Sequence, residues 1–399
     1  MAQMLQATRP QLSVSERDRR YDAIRRRLQE RGVSCALVSG TNLFYLSNSI
    51  PGEKYGLLPA EPGLPVTVVV NARHLADIPA EVITDSQDWI SDVRPGNDAR
   101  QLIERIKELR LESASIGIVA SDFNQTLYAQ LQSALPNAKL VDVGSIFADV
   151  RTTKSEEEVA LLDQANHVFD AAVEAVARHA RAGMLGAEVV QEGIRAMWAV
   201  GGDLDSLIDF NFGAEPRQNP VLAQLCLTRR IQPGDIGTLT AHAEYGHYAG
   251  HSDQEISFGE PKPLHREMFD AVCQVRDAVL KAVKPGTTQR DLIDTYERAC
   301  RETGFRSSLH SQIHQYGIDV PEFPGPAFTA QDGGSGAPPG RFGRAGNFVL
   351  APGMIYSISP TLVAPDTEDL LLGGTSLVVT DSGYRELGNR KVEMLVAGG

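Results

Sequence analysis

A capping box at Ser155 and Glu158 divides this chain into two patterns. Ser155 can accept from the backbone three residues on, and Glu158 can reach back to the Ser155 amide, so a helix starts here. Before this point, short apolar runs alternate with amphipathic stretches. Ser15 to Gly32 carries Tyr21, Ile24 and Leu28 on one stripe, with Ser15 placed to cap and Gly32 to stop the helix. Val33 to Gly40 and Leu64 to Val70 read as strands, and Thr41 to Leu46 begins another segment. A helix over Asp98–Leu111, a strand over Ser115–Ala120, a helix over Asn124–Leu135 and a strand over Lys139–Val143 continue the series. Such alternation predicts an α/β domain, assigned to residues 1–150.

After the box the pattern changes. A long amphipathic helix is expected to about Ala182, and a second over Gly186–Val200. Strands follow, then helices over Leu264–Val283 and Gln289–Thr303, then more strands. Helices between strand runs predict an α+β domain over residues 151–399. Pro324 to Asn347 is rich in Gly and Pro and contains Gly333-Gly334-Ser335-Gly336. A loop of that length is either functional or a disordered insertion, and both readings stand.

With 399 residues the chain can bury two cores. Its net charge of −13 disfavours nucleic acid or an anionic membrane surface as a partner, and solubility accounts for it simply. Cys35, Cys226, Cys273 and Cys300 are scattered without a CxxC, so neither a zinc knuckle nor a disulfide framework is expected. Met1 to Pro10 lacks an apolar leader core, and no apolar run reaches membrane-spanning length. A cytoplasmic location is the expectation.

Five segments occur in the order of one known family. They are Arg151-Thr152-Thr153-Lys154-Ser155-Glu156-Glu157-Glu158, Phe212 to Pro220, Gln232-Pro233-Gly234-Asp235, Lys284-Pro285-Gly286-Thr287-Thr288, and Leu350-Ala351-Pro352-Gly353-Met354. Each is weak alone, but in register they resemble the creatinase/aminopeptidase P/prolidase family. The resemblance implies an α/β N-terminal domain plus an α+β pita-bread catalytic domain cradling one pocket. It also implies a homodimer in which one N-terminal domain helps close the partner's pocket, with Ser47 to Gly56 as the candidate loop.

Metallopeptidases of that family bind two metal ions through an Asp, Asp, His, Glu, Glu set. His314 takes the position of the histidine, while Pro321 replaces a second histidine of the segment. The first aspartate falls on His242 or Ala243, and the second on Asp253 or Gln254, depending on register. The glutamate of the "PGM…EP" segment falls on Ser359, and the last glutamate on Gly374. The catalytic histidine of creatinase, a metal-free relative, falls on Gln218. One imidazole and one carboxylate make a poor two-metal site, since hard cations want several carboxylates. No cofactor is therefore expected, with a rebuilt mononuclear site at His242, His247, His251, Asp253 and His314 as the lesser reading.

Five of the nine histidines lie in two stretches, His242, His247 and His251, then His310 and His314. Alternate residues on a strand share a face, which would align His247, His251 and Asp253. Imidazoles exchange protons near neutrality, and an adjacent carboxylate orients them. His314, His251, Asp253, His242 and Glu322 are the catalytic candidates. His247, His310, Arg217, Gln218 and Ser359 are the substrate-binding candidates. For any single histidine a structural role is at least as good an account, and His74, His167, His179 and His265 read as surface residues. By resemblance to creatinase and the proline-specific peptidases, the expected activity is metal-independent hydrolysis of a C–N bond in a small polar amino-acid-like substrate. The rivals are a lyase or rearrangement enzyme, a metal-dependent Xaa-Pro peptidase, and a non-catalytic binding protein.

Overall fold

The computed structural model describes residues 12–50, 52–71, 73, 88–212, 226–307, 312–322, 348–367 and 369–397. Backbone contacts divide the chain into two compact units, Met1–Arg151 and Thr152–Gly399.

The first unit is a mixed six-stranded sheet with helices packed on it. Its strands are β1 (Cys35–Val38), β2 (Glu53–Pro59), β3 (Thr67–Val70), β4 (Asp92–Pro95), β5 (Ser115–Ile118) and β6 (Lys139–Asp142), in the order β4-β3-β2-β1-β5-β6. β1 to β3 pair antiparallel, while β3–β4, β1–β5 and β5–β6 are parallel. Helix α1 (Val14–Glu30) is capped by Ser13, whose Oγ accepts from the Glu16 amide, rather than by Ser15. Its acidic first turn favours that start through the helix dipole. The segment at Thr41 proves to be helix α2 (Gly40–Ser47). It is followed by α3 (Arg100–Glu108), α4 (Gln125–Ala134) and α5 (Gly144–Thr152). Asn124 caps α4 through its side-chain oxygen. Strand β4 and helix α5 carry no strong periodicity, and sequence pattern missed both.

In the second unit, Ser155 and Glu158 form the expected capping box at the start of α6 (Glu156–His179). Helix α7 (Gly186–Ala199) follows. These helices cover a four-stranded sheet of β7 (Leu207–Phe212), β8 (Ile236–Tyr245), β9 (Tyr248–Phe258) and β17 (Leu395–Ala397), in the order β17-β9-β8-β7. Val168, Phe169, Ala172 and Val176 of α6 bury against Phe210, Leu239, Ile256 and Phe258. Each such large side chain contributes about 1.5–3 kcal/mol on leaving water.

The other half repeats that theme. Helices α8 (Pro263–Ala282) and α9 (Gln289–Thr303) share an apolar core with two further sheets. One contains β11 (Gln312–Gln315), β12 (Ile355–Ser359), β15 (Thr375–Val379) and β16 (Tyr384–Glu386), in that order. The other contains β10 (Arg306–Ser307), β13 (Thr361–Val363) and β14 (Leu370–Leu372). Strand β9 packs against β12, β14 and β15, so one face of each half meets the other. Three cysteines are buried, Cys273 is half-buried, and none is bridged.

Candidate active site

The β8–β9 hairpin fixes the first half of the site. Tyr245 pairs with Tyr248, His242 with His251, and Thr240 with Asp253. Residues opposite one another across a strand pair share a face. Thr240, His242, His251 and Asp253 therefore point together, while Ala243 belongs to the core under α6. Gln254 alternates to the other face, where it accepts from Arg390. This register resolves the choice left open by the sequence in favour of His242 and Asp253.

His247 departs from expectation. It occupies the two-residue turn of the hairpin with φ +63°, beside Gly246 at +59°. It therefore does not continue the strand face of His251 and Asp253. Its amide instead donates to Asp203 Oδ2 at 2.6 Å.

Sheet β11-β12-β15 supplies the second half. His314 pairs with Ser357, and Ser357 with Ser376. Alternation adds Ser359 and Tyr316 to the same face. The three imidazoles form a row. His242 stacks on His251 with centroids 5.1 Å apart, and His251 lies 5.1 Å from His314, with the Tyr316 ring edge-on at 6.1 Å. His242 is half-buried, whereas His251 and His314 are buried.

Burial controls the charge of the two outer rings. It depresses the His314 pKa to about 3, aided by the neighbouring His251 and His242 rings. His242 is also lowered, first by burial and then by His251. Both rings are neutral near pH 7. His314 Nδ1 lies 3.0 Å from the Gln315 carbonyl, which can only accept, so Nδ1 carries the proton and Nε2 the lone pair.

Asp253 is 1% exposed. Its Oδ1 accepts from Thr240 Oγ1 at 2.6 Å, while its Oδ2 has no hydrogen-bond partner among the described residues. Gly374 borders that oxygen. A Cβ there would lie 2.9 Å from Asp253 Oδ2 and closer still to Ser359 Oγ. Asp253, Ser359 and Gly374, far apart in sequence, thus converge. Ser376 donates to the His251 carbonyl and Ser252 to the Gly374 carbonyl at 3.0 Å, tying β15 and the preceding Gly374 to β9.

Glu322 is placed differently from a free acid. Its Oε2 accepts from Lys154 Nζ at 2.8 Å, both side chains being almost fully buried. Its Oε1 accepts from the Ile318 and Asp319 amides. That carboxylate holds the loop after β11 to the start of the second unit, a role the candidate list did not anticipate. His310, Arg217 and Gln218 lie outside the described residues. His265, read as a surface residue, is buried 3.4 Å from Asp369.

Thr240, Tyr316, Ser357, Ser376 and Arg390 also belong to this neighbourhood, and sequence reasoning missed them. The Ser357/Ser359 alternation was a usable signal. Arg390 was not legible, because it arrives from the C-terminal segment to bond Gln254, Ser252 and the Gly374 carbonyl.

Residues 160–385 match the model of metallopeptidase family M24, and residues 20–153 match the creatinase/prolidase N-terminal domain. The chain belongs to metallopeptidase family M24. An Xaa-Pro dipeptidase of Pyrococcus horikoshii is 22% identical over 373 residues, covering 90% of this chain and 93% of that protein. A creatinase of Bacillus sp. (strain B-0618) is 24% identical over 381 residues, covering 90% and 86%. The solved structure of an Xaa-Pro dipeptidase from Bacillus anthracis superposes with a TM-score of 0.78 at 19% identity, covering 95% of this chain and 99% of that one. The P. horikoshii OT3 prolidase structure gives 0.74 at 20% identity, covering 94% and 99%. These likenesses establish the α/β plus pita-bread fold.

The M24 residues present do not fit a two-metal centre of the carboxylate type. The buried orphan oxygen of Asp253 and the His314 imidazole are suitable donors. The two glutamate positions, however, hold a hydroxyl at Ser359 and no side chain at Gly374, leaving too few carboxylates for hard divalent ions. The five residues of the rebuilt mononuclear reading do not bring three ligand atoms within 4.8 Å of one another. Among the described residues, the only set of three whose ligand atoms all lie within 4.8 Å is Asp203, Glu244 and His247, at the hairpin tip.

Proposed function

We propose that this M24 protein is a hydrolase that cleaves a C–N bond in a small amino-acid-derived substrate through proton transfer by imidazoles. The observation that carries this reading is the row His242–His251–His314 beside the unpartnered oxygen of Asp253. His242, half-buried at one end of the row, exchanges the proton with substrate. His314 is too deeply buried to hold a proton near neutrality, so its part is to accept a hydrogen bond through Nε2 and to orient. Ser359 adds a hydroxyl against the leaving or carbonyl group. The depleted donor set at Ser359 and Gly374 supports the metal-independent form of this reading.

The relatives favour a second reading, a metal-dependent Xaa-Pro dipeptidase. One experiment separates them. Metal content of the purified protein is measured by elemental mass spectrometry, and turnover is followed on Xaa-Pro dipeptides, N-alkyl amino acids, amides and ureas, in chelator and with added Mn²⁺, Co²⁺ or Zn²⁺. Turnover in chelator, lost in His242→Gln, supports the imidazole mechanism. Turnover of Xaa-Pro dipeptides only with metal supports the second reading. No turnover on any substrate overturns both and leaves a binding protein.

A further inference from the structure

We infer that Asp203, Glu244 and His247 form a structural site for one divalent ion of the zinc type, outside the proposed reaction site. The inference does not depend on the hydrolase reading.

The three residues come from two segments. Asp203 lies between α7 and β7, Glu244 near the end of β8, and His247 in the turn to β9. Backbone bonds hold these segments together. The Asp203 amide donates to the Glu244 carbonyl at 2.7 Å, and the Glu244 amide to Ser206 Oγ at 2.9 Å. The His247 amide donates to Asp203 Oδ2 at 2.6 Å, and a carboxylate keeps further lone pairs after one such bond. All three residues are half-buried, and a ligand atom from each lies within 4.8 Å of the other two. Zinc bonds of about 2.0–2.2 Å place ligand atoms roughly 3–3.5 Å apart, so small side-chain rotations close the set on an ion.

The negative charge of the cluster is not compensated. Among the described residues no lysine or arginine forms an ion pair with Asp203 or Glu244. Burial, with the Asp203 and Asp205 carboxylates nearby, pushes the Glu244 carboxyl up to about 7, and a bound dication removes that repulsion. The turn does not itself call for the imidazole. Two-residue turns with positive φ at both positions favour glycine and asparagine, yet His247 stands there.

One imidazole and two carboxylates suit Zn²⁺, whereas Ca²⁺ and Mg²⁺ take oxygen ligands. None of the three residues stands at a ligand position of the family. Glu244 continues the face of His242 two residues further along β8, so the ion lies beyond the half-buried end of the histidine row. There it ties the α7–β7 connection to the hairpin that carries His242 and His251.

The test is calorimetric titration of the chelator-stripped full chain with Zn²⁺ and with Mg²⁺, and melting temperatures with and without Zn²⁺. The expected result is one Zn²⁺ per chain, bound more tightly than Mg²⁺. The melting temperature should rise with Zn²⁺, because only the folded chain brings the ligands together. His247→Asn keeps a residue suited to positive φ, and Glu244→Gln keeps the shape. Each should weaken Zn²⁺ at least about tenfold and abolish the rise, since even a supporting residue is worth that much to a metal site. Asp253→Asn and His314→Gln should bind Zn²⁺ as the parent does. A folding defect in one ligand variant leaves the other decisive. Less than one Zn²⁺ per chain would overturn the inference. So would an affinity unmoved by both ligand variants, or one lost in Asp253→Asn, which would put the ion at the M24 positions. No arm reads turnover, so failure of the hydrolase reading leaves this one standing.

Discussion

Thr240 and Asp253 face each other across the β8–β9 hairpin, the threonine hydroxyl donating to Asp253 Oδ1 at 2.6 Å. That bond fixes the rotation of the carboxylate and leaves Oδ2 close against Gly374. Thr240→Val keeps the shape and removes the donor. The cost expected for a buried acceptor left unsatisfied is about 1–3 kcal/mol. Urea unfolding of Thr240→Val and of Thr240→Val with Asp253→Asn measures it. An unchanged midpoint in the single variant would show that the bond contributes nothing.

Lys154 and Glu322 form an ion pair almost wholly shielded from water. Removing one partner strands the other, so Lys154→Met should destabilise by about 3–5 kcal/mol. Replacing both, with Lys154→Met and Glu322→Gln, should recover part of that loss. A double variant as unstable as the sum of the singles would show that the two residues do not interact.

The pH dependence of stability follows from His314. Its folded pKa is depressed to about 3 from 6.5, so the unfolded chain binds the proton more readily than the folded one. The stabilisation from keeping this ring neutral is present above pH 6.5. It is lost progressively as pH falls from 6.5 toward 3. His314→Gln should flatten the unfolding midpoint against pH across that window. The same slope in the variant and the parent would assign the effect to other groups.

Gly250 lies where β9 meets α6, and a Cβ there would strike the Ala165 carbonyl and the Asn166 amide. Both obstacles are backbone and cannot rotate away. Gly250→Ala should therefore cost about 1–3 kcal/mol through forced movement of helix or strand. Thermal unfolding checks it, and a melting temperature within a degree of the parent would refute the close approach.

Much of the architecture was written locally. Capping and periodicity placed α6, α7, α8 and α9 to within a few residues, because a helix is decided by neighbours three and four positions apart. The same rules placed the start of α1 two residues late, since Ser13 and Ser15 are both capable caps and only the backbone shows which one accepts. His247 failed for a related reason. A strict alternation predicts a strand face, but Gly246 and His247 adopt positive φ and turn the chain there.

The site divides along the same line. The sequence by itself placed His242 or Ala243, Asp253 or Gln254, His314, Ser359 and Gly374 at the family's ligand positions by resemblance, with the glutamate missing at Ser359 and at Gly374. It also determined the helices and strands on which those residues ride. Only the tertiary structure decided that His242, not Ala243, joins the row, because the choice depends on which residue of β9 lies opposite. It alone decided that Glu322 is tied to Lys154, that Arg390 reaches β9 from the C-terminal segment, and that Gly374 packs closely against Asp253 and Ser359. These are contacts between residues tens to hundreds of positions apart. Local propensity carries no information on them, and the packing of one half of the second unit on the other does.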